Sequence, residues 1–339
     1  MKKILFSVIS LLCMSMVCYA LPTSSVLLQH QGNVEVYPLD SLNAALRDAV
    51  DGDTLFLSKG IYPSFTIDKK ITVRGAGQET VVAGTITVAI PGSALLTATV
   101  LEGISMNDYN GDIVVTEPVN GFKIKQCAFF NLKLDAVMED VLIDRCICNG
   151  KITLTSIDND GLGNTNTWTT KVKSMIVSQS KIRAFNFDAY TPNDITLTNC
   201  LIKGFNNNSC SLFQGTVINS IIGYEGTGSS YTYKSCSFIN SLICIYRRTI
   251  DSSCYVENCW TIDDINLVKN PAGTSFWCMY SSNELLANEY IGNDGTIIGC
   301  YGGAHPLTLD LSIPKVLSSD IKLDNENRKL NVNLILTAE

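Results

Sequence analysis

The stretch LDAVMEDVLIDRC crowds Asp135, Glu139, Asp140, Asp144 and Arg145 into one short run of chain. Two converging carboxylates are what glycosidic hydrolysis requires. Carboxylates on neighbouring elements can also hold a hard cation, beside which a basic side chain could abstract a proton. The plainer reading of the same run is the solvated side of alternating strands. A second oxygen-rich stretch, DNDGLGN, offers Asp158, Asp160 and Asn164 with glycines for the bends, which suits calcium. It lacks the third acidic position and the closing Glu of a full calcium loop, so a plain loop stands against the metal. Calcium is the one cofactor the chain suggests.

Other residues speak for binding. Flat aromatic faces stack on sugar rings, and Trp168 with Tyr190 is the pair expected to do so. Tyr231, Tyr233 and Trp260 are further aromatics, the last expected to point outward. Asp263 and Asp264 are a candidate carboxylate pair for glycosidic hydrolysis, but as adjacent residues of a strand they would face opposite ways. Arg247, Arg248 and Asp251 read as a solvated corner. The two histidines, His30 and His305, are not flanked by glycine on both sides, and no CxxC or His-bearing spacing suggests zinc.

The elements that would carry these residues repeat. FKIKQCAFF centres on Cys127, VLIDRCICNG on Cys146, MIVSQSKI on Ser180, ITLTNCLI on Cys200, TVINSII on Ser220, YTYKSCSFI on Cys236 and CYVENCWTI on Cys259. Most centres lie near twenty residues apart, and the longer gap holds SIDNDGLGNTNTWTT, Ser156 to Thr170, expected to leave as a loop. Short β-branched runs at a fixed spacing predict an all-β chain, a single-stranded parallel β-helix whose coils take about 20 residues. In such a solenoid, like side chains stack at about 4.8 Å. Cys and Ser then fill a tight inner corner, the cysteines mostly as buried thiols. Cys146 and Cys148 read as two inward positions of one strand.

A solenoid must cover its ends. Leu42, Ala45, Leu46, Ala49 and Val50 make one apolar stripe on a helix expected near 41–50, with Asp40 or Ser41 as its N-cap. The alternation around DNENR predicts a C-terminal β-hairpin. Lys2, Lys3, the apolar Ile4–Val17 run and Ala20 are laid out as a signal peptide over 1–20. Leu12 and Val17 are poor neighbours for a lipoprotein site at Cys13 or Cys18, so export without a lipid anchor is expected. The expected division is therefore a leader at 1–20, a β-helix at 21–300 and a C-terminal extension at 301–339. Without Lys2 and Lys3 the chain carries 23 basic against 32 acidic residues, a net of −9. That balance opposes nucleic acid and unaided capture of polyanions. No further apolar run reaches the length of a membrane span. Eleven cysteines remain beyond the leader, an odd number.

DGDTLFLSKGIYPSFTIDKKITVRGAG, the Cys/Ser units and GNDGTIIGCYGGAHP together resemble right-handed parallel β-helix proteins of the pectin-lyase-like superfamily. More narrowly they resemble exported β-helix proteins of Gram-negative commensal bacteria. The resemblance implies right-handed winding and carbohydrate as the partner, whether a polysaccharide or a cell-surface glycan. It includes lyases and hydrolases as well as members with no known catalysis, and fold alone does not choose among them. The expectation is a non-catalytic carbohydrate- or surface-binding protein in the periplasm, at the cell surface or secreted. The alternatives are a divergent polysaccharide lyase or glycoside hydrolase using the Asp135–Asp144 run or the insertion, and a structural or adhesive envelope module.

Overall fold

A computed structural model describes residues 25–91, 99–106, 111–158, 168–187, 194–206, 210–223, 231–245, 248–262, 290–308, 315–324 and 329–337. The chain winds as a parallel β-solenoid of about eight turns. Each short strand satisfies its backbone with the equivalent strand one coil away, so a twenty-residue repeat needs no helix to close it. One face runs in parallel register from Thr54–Leu57 through Thr72–Val82, Val100–Met106, Lys123–Lys125 and Val141–Asp144. It continues through Met175–Ser178, Ile195–Thr198, Thr216–Ile218 and Ser237–Ile239 to Tyr255–Glu257. A second face follows each corner, from Ala128–Phe129 and Ile147–Leu154 to Leu242–Cys244 and Trp260–Ile262.

Alternation puts every second residue inside. Leu55, Val73, Leu101, Ile124, Ile143, Val177, Leu197, Val217 and Phe238 form one buried column. Each such side chain contributes roughly 1.5–3 kcal/mol through burial. Deeper in, Phe185 stacks on Phe205 at 5.7 Å, and Tyr233 meets Phe205 and Phe238 edge-on at 6.4 and 5.4 Å.

The corner between the two faces explains the Cys/Ser column. Gln126, Arg145, Gln179, Asn199, Asn219, Asn240 and Asn258 all take positive φ, between 45° and 51°. Most of these N–H groups donate to a carbonyl one coil on, as Asn199 does to Ile218 at 3.0 Å. The left-handed turn brings the next side chain back over the carbonyl two residues earlier. Ser180, Ser220 and Ser241 donate to that carbonyl at 2.6, 2.7 and 2.8 Å. Cys127, Cys146, Cys200 and Cys259 do so at 3.2 to 3.3 Å. A serine oxygen also accepts the N–H of the corner residue below: the Cys146 N–H donates to Ser180 Oγ at 3.0 Å, the Cys200 N–H to Ser220 Oγ at 3.0 Å and the Ser220 N–H to Ser241 Oγ at 3.2 Å. The slot therefore selects a small side chain with one hydrogen to donate.

Cys236 does not belong to this column, contrary to the expectation from spacing. Ser237 pairs with Thr216 and Ile239 with Ile218, so Ser241 is the residue above Ser220. Cys236 occupies the preceding corner, in a column with Gly215 and Cys254. The motif YTYKSCSFI resembled its neighbours because both corners follow a strand and precede a strand. The nine cysteines whose side chains are described are all thiols, seven of them buried, with Cys254 and Cys259 half-buried.

The N-terminal end is covered by more than a helix. Ser25–His30 and Asn33–Pro38 form an antiparallel hairpin, and Ser25–His30 also pairs antiparallel with Thr54–Leu57, the first coil strand. Gln31 and Gly32, both at positive φ, make the tight turn. The helix spans Leu42–Asp48 and buries Leu42, Ala45 and Leu46. Neither Asp40 nor Ser41 caps it with a side chain; a 3-10 turn, Leu39–Ser41, leads in instead. Val50, expected on the buried stripe, is 46% exposed because the chain is extended after Asp48.

The insertion leaves the coil as two short antiparallel strands, Ser156–Asp158 and Trp168–Thr170, where a loop was expected. Residues 290–308 lie on the outside of the solenoid as a strap. Ile298, Cys300 and Leu307 pack with Leu201, Ile221, Leu242 and Cys244, and Ile147, Trp260, Tyr290 and Tyr301 border them. A division at 300 would cut this strap in two. Lys315–Asp324 and Lys329–Thr337 form a two-stranded antiparallel sheet of their own.

Candidate functional site

The acidic run occupies one coil, and alternation turns its polar side chains outward. Asp135 follows the strand Asn131–Leu134 and Glu139 ends the strand Met138–Glu139. Asp140 sits in a turn with φ 56°, Asp144 ends Val141–Asp144, and Arg145 is the left-handed corner residue. Each has a partner, nearly always on the next coil. Lys171 Nζ lies 2.6 Å from Asp135 Oδ1, to which Thr155 Oγ1 also donates at 2.9 Å. Lys173 pairs with Glu139. Ser174 Oγ donates to Asp140 Oδ1 at 3.0 Å and accepts the Asp140 N–H at 2.8 Å. Ser178 Oγ donates to Asp144 Oδ1 at 2.7 Å, and Arg145 Nε to Asp144 Oδ2 at 2.9 Å.

The chemistry of this arrangement is joinery. The Lys171 ammonium, then the Thr155 hydroxyl, hold the Asp135 carboxyl below the usual carboxylate range. Asp135 is 55% exposed, so its ion pair contributes only about 0–1 kcal/mol. Asp144 is 17% exposed and has both oxygens engaged, which makes it the firmest of the set. The carboxylates are strung along the coil and bound upward to the next one. Among the described residues no group of three or more His, Cys, Asp or Glu is placed to hold a metal ion.

The remaining expectations fare unevenly. Asp158 and Trp168 face each other across the insertion strands, and their side chains lie outside the described residues. Asp160, Asn164, Tyr190, Asp263 and Asp264 also lie outside them. Tyr233 is buried, not a surface platform, because its ring completes the inner aromatic stack. Arg248, expected at a solvated corner, is buried beside Tyr233. Trp260 takes the outward position but meets Tyr290 of the strap at 5.3 Å.

Two groupings were missed by the motif search. His30 Nδ1 lies 2.6 Å from Asp53 Oδ1, and Asp53 Oδ2 accepts the Val50 N–H at 2.8 Å. Asp53 is buried and so joins the hairpin to the first coil. Beside it opens a cavity of about 360 Å³ lined by Leu28, His30, Asn33, Glu35, Asp48 and Val50. Tyr37 bridges Glu35 and Asp48 there at 2.7 and 3.2 Å, and the bond to Glu35 raises its phenol pKa.

The second grouping is the first face itself. Lys123 and Lys125, Leu142 and Asp144, Ile176 and Ser178, Thr196 and Thr198, Thr216 and Ile218, and Ser237 and Ile239 point outward in two columns, half-buried except for the exposed Ile176. They repeat once per coil, giving a flat, finely spaced surface of hydroxyls, charges and methyl groups.

No family model and no curated protein matches the chain.

Proposed function

We propose that this chain is an exported, non-catalytic β-helix that binds a linear glycan along the outer surface of its first face. The observation that carries this reading is the double column through Lys125, Thr198 and Ile218, repeated at coil spacing. A linear polymer lying along such a surface meets two outward side chains per coil, charged at Lys125 and Asp144 and hydroxyl or branched from Thr196 to Ile239. Hydroxyls of Thr196, Thr198 and Thr216 can exchange hydrogen bonds with sugar hydroxyls, and the methyl and branched side chains between them offer apolar contact. The chain's net negative charge favours a neutral or weakly charged polymer over a polyanion. The resemblance to pectin-lyase-like proteins adds right-handed winding, the usual hand of parallel crossovers, and carbohydrate as ligand class. The leader-like residues 1–20 supply export.

Glycan-array screening of the full chain, followed by titration with Lys125→Ala and Thr198→Ala, tests the reading. Retention of one linear neutral glycan, weakened several-fold by both variants, is the expected result. Binding that both variants leave unchanged, or no glycan retained at all, overturns it.

A structural or adhesive module is the second reading. Among the described residues, the hairpin strand Asn33–Pro38 pairs on one side only, and it exposes Val34 and Val36. An open strand edge of that kind is a template for another chain.

A further inference from the structure

The column displaced from the main corner holds two thiols in successive coils. Cys236 stands below Cys254, as Ser237 stands below Tyr255, and the Tyr255 N–H donates to the Cys236 carbonyl at 2.9 Å. Both sulfurs turn to one short piece of backbone: Cys236 Sγ donates to Lys234 O at 3.1 Å and Cys254 Sγ to Tyr233 O at 3.3 Å. In-register neighbours on parallel strands sit about 4.8 Å apart, within the Cα separation a disulfide accepts.

We propose that Cys236 and Cys254 are an oxidation site that closes to a disulfide and staples the last two described coils. The co-reactant is a small disulfide such as glutathione disulfide. The Cys254 sulfur, half-buried in the last described coil, attacks one sulfur of that disulfide and loses its proton. A mixed disulfide forms and one small thiol leaves. The Cys236 sulfur then attacks the Cys254 sulfur, its proton passes to solvent, and the second small thiol departs. Both protein thiols are oxidised and one small disulfide is reduced to two thiols. The second step is slow, because burial pushes the Cys236 thiol up to about 12.

The half-buried Cys254 sets this pair apart, since Cys236 itself is buried. Cys127 and Cys146 also stack in adjacent coils, but both are sealed inside and burial raises both thiol pKa values. Cys148, Cys200 and Cys300 are likewise enclosed. The inference goes beyond glycan binding and stands without it.

The test incubates the reduced, folded full chain with excess glutathione disulfide, then alkylates remaining thiols in denaturant and maps peptides by mass. The expected result is one cross-linked peptide pair, Cys236 with Cys254, and two fewer alkylated thiols than in the reduced chain. The unfolding constant should fall on the order of a hundredfold, as a ring of about 18 residues closes, and recover with dithiothreitol. Cys254→Ser should abolish the cross-link, whereas Cys148→Ser should leave it. A stable glutathione adduct at Cys254, a Cys254–Cys259 bridge, or no reaction while the chain stays folded would each overturn the proposal. The wild-type result decides the matter even if a variant folds poorly.

Discussion

At the scale of single residues, the recurring Cys/Ser slot is a hydrogen-bond requirement as much as a size requirement. Cys200 gives one hydrogen to Thr198 O, and a serine hydroxyl in the same slot does the same at shorter range. Cys200→Ser should therefore change stability by less than about 0.5 kcal/mol, whereas Cys200→Val removes one of the two donors to Thr198 O, the Gln179 N–H at 3.0 Å being the other, and should cost about 0.5–1.5 kcal/mol. Urea unfolding of the two variants measures the difference, and equal costs would refute the donor requirement. The left-handed residue just before the slot carries a second constraint. Asn tolerates that conformation better than most residues. Asn219→Ala should cost about 1–2 kcal/mol from backbone strain alone, while Asn219→Gly should recover much of that part. This Asn was written plainly in TNC, INS and ENC, yet attention to the Cys and Ser concealed it. Residue types report a column readily, but a backbone conformation shows only through the residue that tolerates it.

At the scale of elements, the strap and the coil-to-coil ties decide how the solenoid is held. The motif GNDGTIIGCYGG is the strap's framework. Asn219 Nδ2 donates to Asn293 Oδ1 at 2.8 Å, Gly299 N–H donates to Asn219 O at 2.8 Å, and Asn199 Nδ2 donates to Asp294 Oδ2 at 3.4 Å. A Cβ on Gly302 would lie 1.7 Å from Ile297 O, so Gly302→Ala should dislodge the strap. Hydrogen exchange should then show faster exchange at Ile298 and Cys300 with the first face still protected. Loss of protection throughout would mean that the strap is integral to the coil. The acidic limb of stability belongs here too. Asp135 has a depressed carboxyl pKa, so its contribution is present above the ordinary value of about 3.9 and is lost as pH falls through the lower folded value. Asp135→Asn should flatten the fall in unfolding free energy below about pH 4, measured by urea titration, by a few tenths of a kcal/mol. An unchanged acid limb would show that the Lys171 tie contributes nothing. Sequence spacing located the strap motif without its place, because docking on the outer face depends on Leu201, Ile221 and Leu242, which only stack once the coils are wound.

At the scale of the whole molecule, the solenoid was legible because its physics is one-dimensional: each coil meets only its neighbours, so a local period carries the fold. The N-terminal hairpin escaped notice since VLLQHQGNVEV pairs antiparallel, outside that period. The candidate site was half legible. Asp135, Glu139, Asp140 and Asp144 were found as a cluster, but their partners Lys171, Lys173, Ser174 and Ser178 lie a full coil and an insertion away. In the folded chain those partners engage each carboxylate and tie coil to coil, and the proposed reading is that the carboxylates take no part in turnover. One comparison tests this most directly: wild type, Asp140→Ala and Asp144→Ala, each assayed for reducing ends and unsaturated uronates over a polysaccharide panel, with the urea midpoint measured alongside. The account predicts lowered midpoints in both variants and no turnover in any of the three. Turnover by the wild type that both variants lose, with their midpoints unchanged, would contradict it.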